Sequence, residues 1–384
     1  MLIFISIFFI CLVAYARLIH FYYKQWSRVP EYTAAEETEY PTISVIIPFR
    51  NEASNLPSLL NCLRELDYPA DKLQVIFIDD DSKDDSVSII KDAAQDLPFL
   101  CLEKLEATDT ESSISYKKRA IEKGIRSSTG TWIITTDADC TFEKLWLKTL
   151  ASFIYSTGAK CIAAPVKIVP VRTVLSLFES LDFLTLQGIT AAAVHSRTHV
   201  MCNGANFAYT RAVYQEVDGF TGIDNIPSGD DMLLMQKIFD KYPADVHYLK
   251  AEQAIVSTRA AAGWKAFFQQ RIRWASKTDH YTDKKIFWIL GLVWIYNLCF
   301  VVLTCIVFAF PKWAFLLMLF VLAKWLIEYA FVASVAGFFK LSRLMHYFLL
   351  MQPLHIMYTI VAGFLGRFGS YEWKGRRVKR MQHE

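Results

Sequence analysis

The sequence predicts an α/β fold, a mostly parallel sheet with helices on both faces, set between apolar segments long enough to cross a membrane. Three observations carry that expectation. Between residues 44 and 139, short apolar runs bounded by polar residues alternate with longer stretches of helical spacing. Strands that alternate with helices build a parallel sheet. Hydrophobic residues make up 53% of the 384, and aromatics 15%, too apolar for a simple soluble protein. The excess gathers at the two ends of the chain.

Taken in order, residues 2 to 23 form one apolar run, long enough at 1.5 Å per residue to cross a ~30 Å hydrocarbon core. Arg17 and His20 fall late in it and no small-residue cleavage site follows. A retained anchor is therefore expected rather than a removed signal peptide. A linker, 24–41, contains the acidic stretch Glu31 to Tyr40 and closes on Pro41.

A soluble domain is expected over 42–280. Ser44 to Pro48 reads as a buried strand, 53–66 as a helix, Leu73 to Asp79 as a strand and 83–96 as a helix. A third strand over 99–103, a helix over 115–128 and a strand leading into Asp137 complete the alternation. The stretch 171–195 is apolar, but Arg172, Glu179 and Asp182 interrupt it. It is expected as an amphipathic or core helix rather than a span.

Membrane segments follow over 286–366, with spans at 286–310 and 313–339. The run 345–366, interrupted by Gln352-Pro353, is left open between a span and a re-entrant segment. Lys24 and Arg28 follow the first run, while Arg271, Arg273, Lys277, Lys284 and Lys285 precede the second. By the positive-inside rule the soluble domain faces the cytoplasm, from the inner membrane. Lys340 and Arg343 before the last run, and the basic tail 367–384 after it, give that run two cytoplasmic flanks. Lys324 and Glu328, four apart within a span, are expected to neutralise each other on one helical face.

The net charge of +3 is modest, and its basic excess hugs the membrane-proximal segments and the tail. Membrane lipid head groups explain that pattern, and nucleic acid does not. Eight cysteines without a CxxC read as free thiols in a reducing compartment. His195 and His199 stand four apart with no third ligand nearby, too little for a metal site. No GxGxxG or GxxxxGK[ST] is present, so neither dinucleotide oxidation chemistry nor a P-loop is supported.

Chemistry is expected at the strand ends. The apolar run from Thr131 ends in Asp137 and Asp139. Residues i and i+2 of an extended chain project to one side, so both carboxylates can meet one hard divalent cation that phosphate oxygens also hold. Ligands of such sheets bind beyond the carboxyl ends of the strands, and three strand ends are polar: Arg50-Asn51-Glu52, Asp79-Asp80-Asp81-Ser82, and Asp137 with Asp139. The second also suits an acidic turn, with Ser82, Asp84 and Asp85 capping the next helix. Further on, Ser228-Gly-Asp-Asp-Met opens an apolar helix after a glycine-rich loop. Its carboxylates fit either dipole stabilisation or a general base.

Together, Ser44-Val-Ile-Ile-Pro-Phe-Arg-Asn-Glu52, Ile78-Asp-Asp-Asp-Ser-Lys-Asp84, Lys117-Lys-Arg-Ala-Ile-Glu-Lys-Gly-Ile125 and Thr136-Asp-Ala-Asp139 resemble the successive signatures of family 2 glycosyltransferases with a GT-A fold. The resemblance covers about 44–275. It departs at Asp81, where the family usually has glycine.

The resemblance implies a Rossmann-like GT-A domain and a site for a nucleotide-sugar, a UDP-sugar in the first instance. Pro48, Arg50 and Glu52 would line the donor site, Asp79 and Asp80 would serve base and ribose, and Lys117 and Arg119 the diphosphate. Asp139 would hold Mg2+ or Mn2+, and Asp137 would face the ribose or the same metal. It implies Asp231 as the base with Asp230 in support, and Asn203, Gly204 and Asn206 as an acceptor-side loop. Gln270-Arg-Ile-Arg-Trp274 matches the (Q/R)xxRW signature of membrane-embedded members, with Gln270, Arg273 and Trp274 closing over diphosphate or acceptor. Tyr371 to Arg376 is similar to a post-membrane segment of lipid-directed members.

The expected activity is metal-dependent transfer of a sugar, with inversion, to a lipid acceptor. Two alternatives stay open: a processive polysaccharide synthase with a glycan acceptor, and a silent membrane sensor of nucleotide-sugars.

Overall fold

A computed structural model describes residues 1–35, 39–106, 115–276, 284–368, 371–373 and 376–378. Glu36, Glu37, Lys277, Lys374, Gly375 and the tail beyond 378, all cited above, lie outside them. The chain forms two compact units, one of 29–169 with 200–259 and one of 1–28, 170–199 and 260–384.

The first unit is an α/β layer structure. In chain order it contains β1 (Ile43–Phe49), α2 (Leu56–Arg64), β2 (Leu73–Asp79), α3 (Ser86–Ala93), β3 (Leu100–Lys104), α4 (Tyr116–Ser127) and β4 (Trp132–Thr135). These are followed by α5 (Trp146–Thr157), β5 (Cys161–Ala163), β6 (Val166–Ile168), β7 (Phe207–Thr210), α7 (Arg211–Glu216), α8 (Met232–Lys241), β8 (Val246–Tyr248) and β9 (Val256–Thr258). The main sheet has the order β3-β2-β1-β4-β7-β5-β8. The first four strands are parallel, β7 runs antiparallel to both β4 and β5, and β8 is again parallel to β5. β6 and β9 form a separate parallel pair.

Burial on both faces explains why β1 and β2 read as near-continuous apolar runs. Val45, Ile46 and Ile47 of β1 and Val75, Ile76, Phe77 and Ile78 of β2 are completely buried. Each contributes roughly 1.5–3 kcal/mol relative to exposure. Pro48 sits in a central strand, where a missing N–H ordinarily breaks the ladder. Pairing of β1 with β4 ends at Ile46 and Thr135, and Phe49 accepts from Asp80 on the β2 side. Alternation therefore points the Pro48 nitrogen past the end of β4, where no strand needs it. Gly130 is required by close approach, since a Cβ there would lie 2.5 Å from the backbone nitrogen of Ser44.

Helices α2 and α3 begin at Leu56 and Ser86, three residues later than the spacing predicts. The polar residues before them are bound into loops on the sheet rim, described below. Strands β5 to β9 are short, three or four residues each, and their periodicity is too brief to stand out in the sequence.

The second unit contains α1 (Leu2–Trp26), α6 (Val174–Ser196), α9 (Trp264–Ala275), α10 (Lys284–Ala309), α11 (Ala314–Phe338), α12 (Phe348–Phe368) and the hairpin β10 (Tyr371–Trp373) with β11 (Arg376–Val378). Among the described residues five helical segments are long and apolar enough to cross a membrane by length and composition: Leu2–Trp26, Val174–Ser196, Lys284–Ala309, Pro311–Phe338 and Ser342–Gly366. Leu2, Trp288, Phe308 and Leu350 are among the apolar side chains left exposed, as on a lipid-facing surface.

The unit division departs from an uninterrupted domain over 42–280, because 170–199 and 260–275 pack with the apolar helices. Helix α6 opens with a capping box in which Thr173 Oγ1 accepts from Ser176 N–H at 3.1 Å and Ser176 Oγ from Thr173 N–H at 2.8 Å. Unlike α1, α10 and α11 it is mostly buried, against α1 and α11. The acidic residues that argued against a span have partners inside this unit. Asp182 Oδ2 lies 2.9 Å from Arg271 Nη2, and Glu179 Oε2 accepts from Ala261 N–H at 2.9 Å.

Lys324 and Glu328 do pair, at 2.5 Å, and the structure adds two partners. Gln352 accepts from Lys324 Nζ at 2.6 Å and donates to Glu328 Oε2 at 2.7 Å. Tyr15 donates to Glu328 Oε1. One network thereby ties α1, α11 and α12, with Lys324 fully buried.

Candidate functional site

The polar strand ends of the α/β unit gather at one rim. β4 ends at Thr135, and the chain then turns through Asp137 and Asp139, both half-exposed. Asp139 Oδ2 accepts from the Thr258 hydroxyl of β9 at 3.2 Å. Cys140 is fully buried behind the pair, and burial, reinforced by the charges of Asp139 and Asp137, pushes its thiol up. It is inert as a nucleophile.

Lys117, on the first turn of α4, reaches this turn. Its ammonium lies 2.7 Å from Asp137 Oδ1 and 3.5 Å from Asp230 Oδ2. Burial by itself draws the Lys117 pKa down, but Asp137, Asp230 and Asp231 outweigh it and hold the group above its ordinary range. Lys117 is therefore a permanent cation among three carboxylates. Residues 137 and 230 are far apart in sequence, and this ion pair brings both to one point.

Asp231 is the N-cap of α8. Its Oδ1 accepts from Met232 N–H at 2.7 Å and its Oδ2 from Gly204 N–H at 2.9 Å. The dipole-stabilising reading of the Asp-Asp pair is thus partly met by geometry. Yet the second bond ties the carboxylate to a different loop, which helix capping alone does not require. Gly204 is held in turn through its carbonyl, which accepts from Thr135 Oγ1 at 2.8 Å. A Cβ on Gly204 would lie 3.4 Å from Asp230 Oδ2 and 3.5 Å from Lys117 Nζ. Bare backbone therefore lines the cluster.

The other rim loops brace each other. Arg50 Nη1 donates to the Asp80 carbonyl at 2.7 Å and lies 4.0 Å from its carboxylate. Asp79 and Asp80 are buried, and Asp79 Oδ1 accepts from Ser82 N–H, three residues on, at 2.8 Å, holding the turn after β2. Asn51 Oδ1 accepts from Lys83 N–H, Asp84 Oδ2 from Ala53 N–H, and Ser86 Oγ from Glu52 N–H. The Glu52 carboxylate accepts from Asn55. Asn51 and Asp81 take φ of 54° and 60°. At the one position where glycine is usual, the chain keeps the left-handed turn and Asp81 occupies it, a residue type that tolerates αL better than most. The capping expectation is corrected in part: Asp84 Oδ1 accepts from Ser86 N–H, while Asp85, at the N-cap position, makes no side-chain cap bond.

Three expected site residues are placed differently. Asn206 does not offer its amide to an acceptor. It is fully buried, donates to the carbonyls of Pro165 and Ala254 at 2.9 and 2.8 Å, and accepts from Trp146 Nε1 at 3.1 Å. Every strong valence of that amide is spent on joining loops. Asn203 Oδ1 accepts from Ala205 N–H at 2.9 Å, which shapes the turn that presents Gly204. Arg119 stands two residues beyond Lys117, about 200° around an α-helix, and so on a different face.

Gln270, Arg273 and Trp274 lie on α9, in the other unit. There the Trp274 ring stacks with Arg271, whose guanidinium carbon lies 4.2 Å from its centroid. Sequence spacing singled out Arg273 and missed Arg271, whose signal was the unmatched Asp182 of an apolar helix. Also missed were Thr258, behind Asp139, and Lys118, which follows Lys117 and is 2% exposed.

Comparison with known proteins places this geometry. The family description "Glycosyl transferase family 2" matches residues 44–218, and "Glycosyl transferase family group 2" matches 132–365, more than half of the chain. A probable glycosyltransferase of Bacillus subtilis, YdaM, is 25% identical over 240 residues, 62% of this chain and 55% of that protein. The undecaprenyl-phosphate 4-deoxy-4-formamido-L-arabinose transferase of Aeromonas hydrophila is 34% identical over 104 residues, 27% of this chain and 30% of that protein. The chain thus spans about half or less of the length of these curated relatives. A solved mannosyltransferase of Pyrobaculum calidifontis, in complex with GDP-Man and Mn2+, superposes with a TM-score of 0.60 at 19% identity, over 92% of this chain and 98% of that one. That likeness speaks for the GT-A fold.

Proposed function

The chain belongs to the family 2 glycosyltransferases, and from that premise we propose that it moves a sugar from a nucleotide-diphosphate sugar to a lipid acceptor, with inversion. The donor proposed first is a UDP-sugar. The domain is proposed to work at the cytoplasmic face of the inner membrane, and the same chain carries helices long and apolar enough to anchor it there.

The observation that carries this reading is the cluster of Asp137, Lys117, Asp230, Asp231 and the Gly204 backbone beyond the end of β4. It combines hard oxygen ligands, a fixed cation suited to phosphate oxygens, and a carboxylate held at a second loop. Rim residues Pro48, Arg50, Glu52, Asp79 and Asp80 border the nucleoside side. Arg50 ties to Asp80, Asp79 to Ser82 and Glu52 to Ser86 and Asn55, and the half-exposed Pro48 ring offers a flat apolar surface.

The carboxylates fit a divalent cation, Mg2+ or Mn2+. Asp139 is half-exposed, with a neutral hydroxyl beside it. Among the described residues no group of three or more His, Cys, Asp or Glu could enclose a metal ion, so further ligands would be diphosphate oxygens and water. When bound, the cation offsets charge on the departing diphosphate. Lys117 sits where it can contribute in the same way.

In the transfer step Asp231 accepts the proton of the acceptor hydroxyl as its oxygen attacks the anomeric carbon. The bond from that carbon to the diphosphate oxygen breaks, and the nucleoside diphosphate leaves. One displacement inverts the centre. Asp230, beside Lys117, keeps the ammonium close to the reacting groups. Gln270, Arg273 and Trp274 are proposed to act on diphosphate or acceptor.

A lipid acceptor is favoured by the apolar helices and by a relative named as an undecaprenyl-phosphate transferase. The test is incubation of the purified protein with labelled UDP-sugars, then with GDP-sugars, in the presence of membrane lipid. One sugar on extractable lipid is expected. A long water-soluble chain would identify a polysaccharide synthase instead, and no transfer or donor hydrolysis with any pairing would leave a binding protein.

A further inference from the structure

We propose that Lys118 is a positioning residue for transfer: it fixes the loop over 218–229 and, through that loop, the Asp230–Asp231 pair. The inference rests on the reading of Asp231 as the base and adds a residue that no part of that reading requires.

Lys118 is 2% exposed, which is unusual for lysine. A buried ammonium carries a desolvation penalty of several kcal/mol unless charge or hydrogen bonds offset it. The Lys118 ammonium meets the backbone carbonyls of Ile223 and Ile226 at 2.5 and 2.7 Å. Both carbonyls belong to the loop that leads into Asp230.

That loop has little regular structure to hold it. It turns through Asp218, Gly219, Gly222 and Gly229, all with positive φ, and its internal backbone bonds are local, such as Thr221 N–H to Asp218 and Ile226 N–H to Ile223. Cations reach it from two sides. Lys118 comes from α4, while Lys237 of α8 donates to the carbonyls of Gly219 and Thr221 at 2.7 and 3.0 Å. Lys241 donates to Glu216 at the loop's entry. A glycine-rich chain costs more entropy to fix than most. Phe220 and Ile226 are buried, and charge-assisted bonds to the loop's carbonyls add order to the glycine-rich chain between them.

The adjacency of the two lysines gives the inference its functional content. Lys117 binds Asp137 and Asp230 directly. Lys118, the next residue, binds the chain four residues before Asp230. One turn of α4 therefore sets the base-side loop against the donor-side carboxylates. A shift of the loop by about 1 Å would misplace Asp231 relative to the acceptor hydroxyl, and such a shift costs on the order of 100-fold in rate. Donor contacts on β1, β2 and β4 would stay in place.

The experiment uses the full chain in detergent with Lys118→Met, Lys118→Arg and Lys237→Met, measuring donor affinity separately from the kcat of transfer. Lys118→Met should lower kcat by about 100-fold with donor affinity within about threefold of the parent, and Lys118→Arg should restore most of it. Equal kcat in Lys118→Met, or a parallel fall of donor affinity and kcat, overturns the proposal. Should Lys118→Met fail to fold, Lys237→Met decides: a reduced kcat at unchanged donor affinity supports loop positioning, and an unchanged kcat overturns it. Asp231→Asn is run alongside. Retained transfer there would remove the base assignment, whereas lost transfer with a normal Lys118→Met removes only the role of Lys118.

Discussion

Replacing Asp231 by asparagine should separate the structural role of one carboxylate from its proposed role as base. In the parent, Oδ1 accepts from Met232 N–H at 2.7 Å and Oδ2 from Gly204 N–H at 2.9 Å. Asparagine has one acceptor oxygen. If it keeps the Met232 bond, helix capping survives, because Asn and Asp are nearly equal as N-caps. The amide nitrogen then faces the Gly204 N–H, donor against donor. That N–H is left without its acceptor at a cost of about 1–3 kcal/mol. For the chemistry, loss of a positioned general base lowers rate by about 10²–10⁴. The expected result is thus a modest fall in thermal stability, retained nucleotide-sugar binding, and transfer reduced by at least about 100-fold. Thermal unfolding, donor titration and product mass spectrometry read the three quantities. Near-parent turnover would refute the base assignment. Unchanged stability together with lost transfer would refute the claim that Asp231 holds Gly204.

Asp139→Ala should abolish the dependence of donor affinity on Mg2+ or Mn2+, and donor titrations with and without a chelator check it; a parent affinity that a chelator leaves unchanged would sink the metal assignment. Asp81→Val should cost about 1–2 kcal/mol, since a β-branched residue is strained at φ 60°, whereas Asp81→Gly should be tolerated; melting temperatures compare them. In the apolar unit, Lys324→Met or Glu328→Leu alone leaves a buried unpaired charge and should cost about 3–5 kcal/mol. The double substitution should recover at least half of that loss in detergent unfolding, and a strictly additive loss would show the pair to be uncoupled.

Much of the proposed donor side was legible in the sequence because its residues are local. β1, β2 and β4 are short apolar runs that end in polar residues; strand period read Asp137 and Asp139 as a pair, although β4 ends at Thr135 and both lie in the turn that follows. At Asp81 the sequence showed only a departure from the glycine usual in the family it resembles, and the left-handed turn came from the structure. Asn206 was misread because a loop amide looks like a ligand until its three partners, Pro165, Ala254 and Trp146, are known. The interruption of 171–195 by Glu179 and Asp182 was visible, but the residues that answer them, Ala261 and Arg271, lie more than eighty positions away.

The sequence alone therefore determined the longer elements and the kinds of chemistry on offer: strand ends, carboxylates, lysines, apolar helices. Period and composition act over a few residues, and they survive in a linear reading. Tertiary structure alone decided which charges share a point. Lys117 meets both Asp137 and Asp230, Lys118 meets the carbonyls of Ile223 and Ile226, and Asp231 meets Gly204. Electrostatic and hydrogen-bond energies depend on distances of a few ångströms between atoms, and only the packed sheet and its loops set those distances.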